Sequence, residues 1–203
     1  MASVTDVCNL ALSYLGANTI TSITDNVTGA RILNTEFGPT RDAELRGPAR
    51  WRFAIKRAAL AASTTVPPSG VYNTSFPLPT DCLRILEVGD FYPGADMADY
   101  RTGQSNADYS LEGRSILTNF ASPLTFRYIS QITDTTQWDA SFVQVVAAKL
   151  AWTCCERITQ SSDKRKFAIE QYKDFLSAAV RSNALEMVPE FPADSSWVLA
   201  RMQ

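Results

Sequence analysis

The chain has 203 residues, of which 45% are hydrophobic and 20% charged, and it carries a formal net charge of −2. At the usual ~150 residues per domain this is a globular composition of one to one and a half domains, which excludes wholesale disorder and a coiled-coil rod. Histidine is absent altogether, so Ser-His-Asp and Cys-His catalysis, His-ligated metal sites and imidazole base chemistry are excluded as well.

Reading from the amino end, no basic region leads into an apolar run, and no stretch of about 18 apolar residues occurs anywhere, so neither a secretion signal nor a membrane span is expected. Ser3 followed by Asp6 has the pattern of a capping box. Val7, Leu10, Ala11, Tyr14 and Leu15 then recur at helical spacing until Gly16, which predicts a helix over about 4–15. A second helical stripe runs through Ala30, Leu33, Phe37, Arg41 and Leu45 to about Arg46, with a kink expected at Gly38-Pro39 because proline removes a backbone donor. The segment around Trp51-Arg52-Phe53-Ala54 fits either a helical or an extended backbone.

Glycine and proline then partition the chain. All nine glycines lie at or before Gly113, six of the ten prolines fall between Pro67 and Pro123, and residues 124–188 contain neither. The apolar run Leu83 to Val88, the pair Ile116-Leu117 and the alternating stretch Leu124 to Ile129 read as strands. Between the first two, residues 89–115 hold four glycines and several aspartates and predict a long exposed loop or hairpin. Asp139 is placed to cap a helix carrying Phe142, Val146, Leu150 and Ile158, and Ser162 to cap another carrying Ala168, Tyr172, Phe175, Leu176 and Ala179. The end of the chain, with Pro189 and Pro192 beside Phe191, Trp197, Val198 and Leu199, is apolar but too short and broken to form a core of its own.

The expected fold class is therefore α+β, a helical bundle from N- and C-terminal helices with an inserted antiparallel β-rich subdomain. Its expected divisions are a helical part at 1–65, a β-rich insertion at 66–138 containing the loop 89–115, a helical hairpin at 139–187 and an extended arm at 188–203. Residues 1–65 carry seven basic and five acidic groups, 66–138 four and eight, and 139–203 eight of each, so the insertion is the acidic part.

Two clusters invite a chemical reading. Asp90, Asp96, Asp99 and Asp108, with Glu112, are a carboxylate cluster that a glycoside hydrolase would need to hold at one of two fixed separations, which loop spacing does not guarantee; the alternative is a solvated acidic loop. Arg41, Arg46, Arg50, Arg52, Lys56 and Arg57 stand against only Asp42 and Glu44 and are interleaved with Trp51 and Phe53. This patch suits phosphates or acidic groups on a protein partner, or is simply a solvated helix face. The acidic balance of the chain argues against reading DNA sequence. No phosphate-binding loop, dinucleotide fingerprint or hydrolase elbow occurs. The cysteines, Cys8, Cys82 and the adjacent Cys154 and Cys155, lack zinc-ribbon spacing and read as reduced core thiols. No cofactor, metal or catalytic residue is expected.

The pieces have a familiar order. Ala30-Arg31-Ile32-Leu33 is followed by Arg41-Asp42-x-x-Leu45-Arg46, Trp51-x-Phe53-Ala54 and Leu78-Pro79-x-Asp81-Cys82-Leu83-Arg84-Ile85-Leu86-x-Val88. Ile116-Leu117-Thr118-Asn119, Arg127-Tyr128-Ile129 and Leu150-Ala151 complete the set. From about residue 5 to 185 the chain resembles the head-to-tail adaptor proteins of tailed bacteriophages, the tail tubular protein A group. The resemblance implies a non-enzymatic virion protein, assembled in the host cytoplasm, with a helical bundle interrupted by a β-rich insertion. It further implies a homo-oligomeric, dodecameric ring under the portal protein that extends the channel for transient, sequence-independent passage of DNA and docks the next tail or nozzle protein.

On that expectation Arg41, Arg46, Arg50, Trp51 and Arg52 would meet the portal or a neighbouring subunit, since interfaces favour arginine and tryptophan. Phe191, Trp197 and Leu199 would lie on an adjacent subunit; with Val198 their burial is worth about 6–12 kcal/mol gross, before ordering entropy. Asp90, Asp96, Asp99 and Asp108 would face the lumen or the distal tail, where negative charge repels phosphates and lets DNA slide. The alternative expectation is a tail-associated glycan hydrolase using those loop carboxylates, and a weaker one is nonspecific DNA binding.

Overall fold

The computed structural model describes residues 2–64, 67, 70–89 and 109–185. Two compact units result, a helical one formed by the chain up to Ala54 and again from Gln131, and a β unit spanning Ile55–Ser130.

In the helical unit, α1 (Val4–Tyr14) begins as its sequence demands. Ser3 Oγ accepts the Asp6 N–H at 3.1 Å while the Asp6 carboxylate accepts the Ser3 N–H at 2.8 Å, so two of the amides that a helix start leaves unpaired are satisfied reciprocally. These bonds hold the Asp6 carboxyl below the usual carboxylate range. Gly16, at φ +62°, turns the chain out of the helix. α2 (Thr28–Arg46) runs through Gly38-Pro39 as one 19-residue helix. Buried Ala30, Ile32, Leu33 and Phe37 before the proline and Thr40, Glu44 and Leu45 after it pin both halves to the core, so packing carries the helix across the missing hydrogen bond.

α3 (Ala140–Thr159) is the centre of this unit and packs against α1, α2 and the last helix, α4 (Ser162–Leu185). It is apolar on nearly every side, with Phe142, Val145, Val146, Ala147, Ala148, Leu150, Ala151, Cys154 and Cys155 all buried, as a helix surrounded by others must be. The adjacent cysteines are free and fill the core as small apolar groups. The expected caps differ in detail: Asp139 occupies the N-cap position without a side-chain hydrogen bond. Ser162 is already the first helical residue, so Ser161 Oγ, one residue earlier, accepts the Lys164 N–H at 3.4 Å. The two helices are joined by Gln160, at φ +51°.

Among the described residues the β unit holds two three-stranded antiparallel sheets. One has the order β1 (Ile55–Leu60), β6 (Leu124–Ser130), β3 (Cys82–Val88), and the other the order β2 (Thr74–Pro77), β5 (Ser115–Thr118), β4 (Tyr109–Glu112). Leu60, Cys82, Val88, Leu124, Phe126 and Tyr128 from the first sheet and Phe76 and Ile116 from the second form a common core. Gly113, at φ +59°, makes the tight turn of the β4–β5 hairpin, where a side chain would be strained.

The α+β architecture with a β insertion agrees with expectation, but its boundaries differ. Strand pairing begins at Ile55 and ends at Ser130, rather than at 66 and 138. Ile55–Leu60, the sequence Ile-Lys-Arg-Ala-Ala-Leu, has no strand-like composition, and all six residues are drawn into the sheet by pairing with β6. Of the long segment 89–115, the hairpin β4–β5 is described and residues 90–108 lie outside the described residues.

Candidate functional site: an anchored arginine segment

α2 ends at Gly47, where an added Cβ would meet the Glu44 carbonyl oxygen at 3.1 Å, and Pro48 cannot continue the helix. The chain then turns back through residues 48–51 into a short 3-10 turn, Arg52–Ala54. What fixes this return is Trp51. Its side chain is fully buried, its indole N–H donates to the Glu44 carbonyl at 3.0 Å, and its ring meets Phe142 edge-on at 4.9 Å and Phe53 at 6.4 Å. From α4, Asn183 clasps the backbone on both sides of that tryptophan: its Nδ2 donates to the Arg50 carbonyl at 2.9 Å and its Oδ1 accepts the Arg52 N–H at 3.2 Å. A buried asparagine with both ends of its amide satisfied sets the path of three residues at once.

Beneath the segment lies a second polar group, the Glu44 carboxylate. It accepts hydrogen bonds from the Tyr172 hydroxyl at 3.0 and 3.2 Å and faces Lys149 Nζ at 3.8 Å. The ammonium in turn sits 4.1 Å from the Trp152 ring centre and 4.6 Å from that of Tyr172. Burial pushes the Glu44 pKa up, with the Tyr172 hydrogen bond and the Lys149 charge acting against it, and burial together with the Glu44 charge pushes the Tyr172 hydroxyl far above its usual value. The carboxylate is held by its partners and covered, an arrangement suited to fixing α2, α3 and α4 together rather than to moving protons.

The consequence is a surface with Arg46, Arg50 and Arg52 exposed on a backbone that cannot easily shift. They do not form one helix face: Arg46 closes α2, Arg50 is in the connecting loop and Arg52 opens the 3-10 turn. Two expected interface residues are corrected. Trp51 is an interior anchor with no exposed surface, because its indole needs both the Glu44 carbonyl and an apolar slot. Arg41 has a side chain only 12% exposed and is engaged by Asp42 at 2.8 Å, a carboxylate that also accepts from Gln131 at 2.7 Å. Phe191, Trp197 and Leu199 of the arm and Asp90, Asp96, Asp99 and Asp108 of the loop lie outside the described residues.

Sequence reasoning missed Asn183, Tyr172 and Lys149 as supports of this segment. A signal existed for the first: Asn183 follows Ala179 by four residues on the apolar stripe of α4, where an amide needs a specific partner.

All four cysteines are free and buried. Burial pushes the Cys8 thiol up to about 11 and, with the nearby Glu36 charge, Cys154 up to about 12, which suppresses the thiolate. Among the described residues no cluster of three acidic or cysteine side chains is placed to hold a metal, and no helix is long and apolar enough to cross a membrane. Compared with known proteins, the chain matches no family model and no curated sequence.

Proposed function

We propose that the protein is a head-to-tail adaptor of a tailed bacteriophage, a structural subunit that joins a ring beneath the portal, extends the DNA channel and receives the next tail component. The observation that carries this reading is the anchored arginine segment: Arg46, Arg50 and Arg52 are displayed together while Trp51 and Asn183 are spent on holding the backbone beneath them. A surface whose shape is fixed before contact loses little entropy on binding, and arginine's planar fork pairs bidentately with carboxylates on a portal or a neighbouring copy. The organisation of the chain, two ends building one helical unit around a single β insertion, supports the same reading, since it is the fold that the resemblance implies. So do the order and spacing of the motifs from Ala30 to Ala151.

In this reading the ring is a homo-oligomer, dodecameric to match the portal, located in the virion tail. The apolar arm at 188–203 reaches a neighbouring subunit, and the aspartates between 90 and 108 keep the surface facing the DNA negative, which repels phosphates and lets the duplex pass without sticking. No enzymatic step is assigned.

Negative-stain electron microscopy of the protein alone and mixed with purified portal tests the proposal. Rings seated on the portal are expected, and their absence under both conditions overturns it. The triple variant Arg46→Glu, Arg50→Glu, Arg52→Glu is expected to keep its circular dichroism spectrum and lose portal binding. Unimpaired binding would remove the arginine segment from the interface.

A further inference from the structure

A second arginine group stands on the β unit, and its geometry is independent of the adaptor reading. In the β1–β6–β3 sheet the register sets Arg57 of β1 directly opposite Arg127 of β6, with Glu87 of β3 opposite Arg127 on the other side. The next pairs along, Ala58 with Phe126 and Phe126 with Val88, belong to the core. The Arg57–Arg127–Glu87 row therefore lies on the opposite face of the sheet, because successive side chains alternate.

Two arginines directly across from each other repel, and the single carboxylate in the row does not satisfy them. Glu87 Oε1 takes Arg127 Nη1 at 3.1 Å, with the two side chains 14% and 17% exposed. The Arg127 Nε–H is buried and finds no acceptor among the described residues. Arg57 is exposed, and no ion pair or hydrogen bond engages its guanidinium among the described residues. The adjoining row is low: Ala59 opposes Thr125, and the Gly89 N–H donates to the Thr125 carbonyl at 2.7 Å. Small residues beside long ones leave a niche of about 360 Å³, whose lining includes Arg57, Glu87, Gly89, Thr125 and Arg127, along with parts of Ala58 and Phe126.

We propose that this niche binds one carboxylate, an Asp or Glu side chain presented by an acidic segment of a protein partner. The charge decides the class of ligand. Two guanidinium groups and Glu87 leave one positive charge, which a carboxylate neutralises. A doubly charged phosphate overshoots that balance, and a nucleic-acid backbone brings further negative charge against Glu87 and against an acidic chain. The carboxylate oxygens accept from the Arg127 Nε–H, which otherwise stays unsatisfied, and from the Arg57 fork, and they relieve the repulsion between the two guanidinium groups.

The test follows the arginine Nε–H resonances of the full-length, ¹⁵N-labelled chain during titration with the capped peptide Gly-Gly-Glu-Gly-Gly, beside the same peptide with Gln in place of Glu. The expected result is a saturating shift of the Arg127 Nε–H signal with the Glu peptide alone, weakened about tenfold in Arg57→Gln, the loss of one charge-assisted contact. Arg57→Lys, which keeps the charge and loses the fork, is expected to fall between the two and provides the measurement if Arg57→Gln does not fold. No shift, or an equal shift with the Gln peptide, overturns the proposal. So does a response to inorganic phosphate or duplex DNA at lower concentration than to the peptide, which would reassign the niche to phosphate groups.

Discussion

The arginine segment of the helical unit and the arginine row of the β unit present cations by opposite means. In the first, Arg46, Arg50 and Arg52 are exposed and the backbone beneath them is held by other residues, Trp51 and Asn183. In the second, the cation itself is part of the packing: Arg127 is mostly covered, tied to Glu87 and lines a niche, and its buried Nε–H finds no acceptor among the described residues. The difference teaches that a surface arginine can be changed without touching the fold when its support is elsewhere, whereas a half-buried one carries structural and binding duties together.

Unfolding measurements sharpen this contrast. The largest effect is expected for Trp51→Ala, which empties a fully buried slot against Phe142 and removes the bond to the Glu44 carbonyl; a loss of about 3–5 kcal/mol in urea denaturation is expected, and a loss below about 1 kcal/mol would break the claim that Trp51 is the anchor. Next come Asn183→Ala and Glu87→Ala, each about 1–3 kcal/mol, since each strands buried polar partners. Asn183→Ala is further expected to speed hydrogen exchange at the Arg52 amide, which the Glu87 variant leaves unchanged.

A smaller, pH-dependent effect belongs to Glu44. Its folded pKa lies above the ordinary 4.5 because burial disfavours the charged form. Between the unfolded and folded values the native state therefore holds more protons than the unfolded one. The contribution of this group is most favourable below that window and declines as pH rises through it. In Glu44→Gln that decline is expected to vanish, so the difference in urea midpoint between variant and parent should change across the window and be flat below it. A constant difference at every pH would show that Glu44 titrates normally. Smallest of all, Arg50→Ala or Arg52→Ala is expected to change stability by no more than about 0.5 kcal/mol, and a larger loss in either would erase the distinction between the two regions.

Much of the fold could be read directly. The capping box at Ser3 and Asp6, the glycine stop at Gly16, the proline-free span after residue 124 and the alternating run Leu124 to Ile129 are local signals, and each element formed where its residues placed it. β1 could not be read, because Lys56, Arg57, Ala58 and Ala59 have no preference for a strand and acquire one from β6. The candidate site divides in the same way. That cations gather between 41 and 57 is plain in the sequence, but Trp51 is buried and Arg41 is mostly covered and paired with Asp42, and only packing separates them from Arg46, Arg50 and Arg52.

The amino-acid sequence by itself determined the helix, strand, helix order, the removal of histidine chemistry and the concentration of arginine near the end of α2, because these depend on composition and on contacts a few residues apart. The tertiary structure alone decided which of those arginines reach solvent, that an asparagine some 130 residues away holds the backbone at Arg50 and Arg52, and that Arg57 and Arg127 share one niche. Those outcomes depend on hydrogen bonds and strand register between distant segments, where a buried donor must find its acceptor wherever the fold brings it.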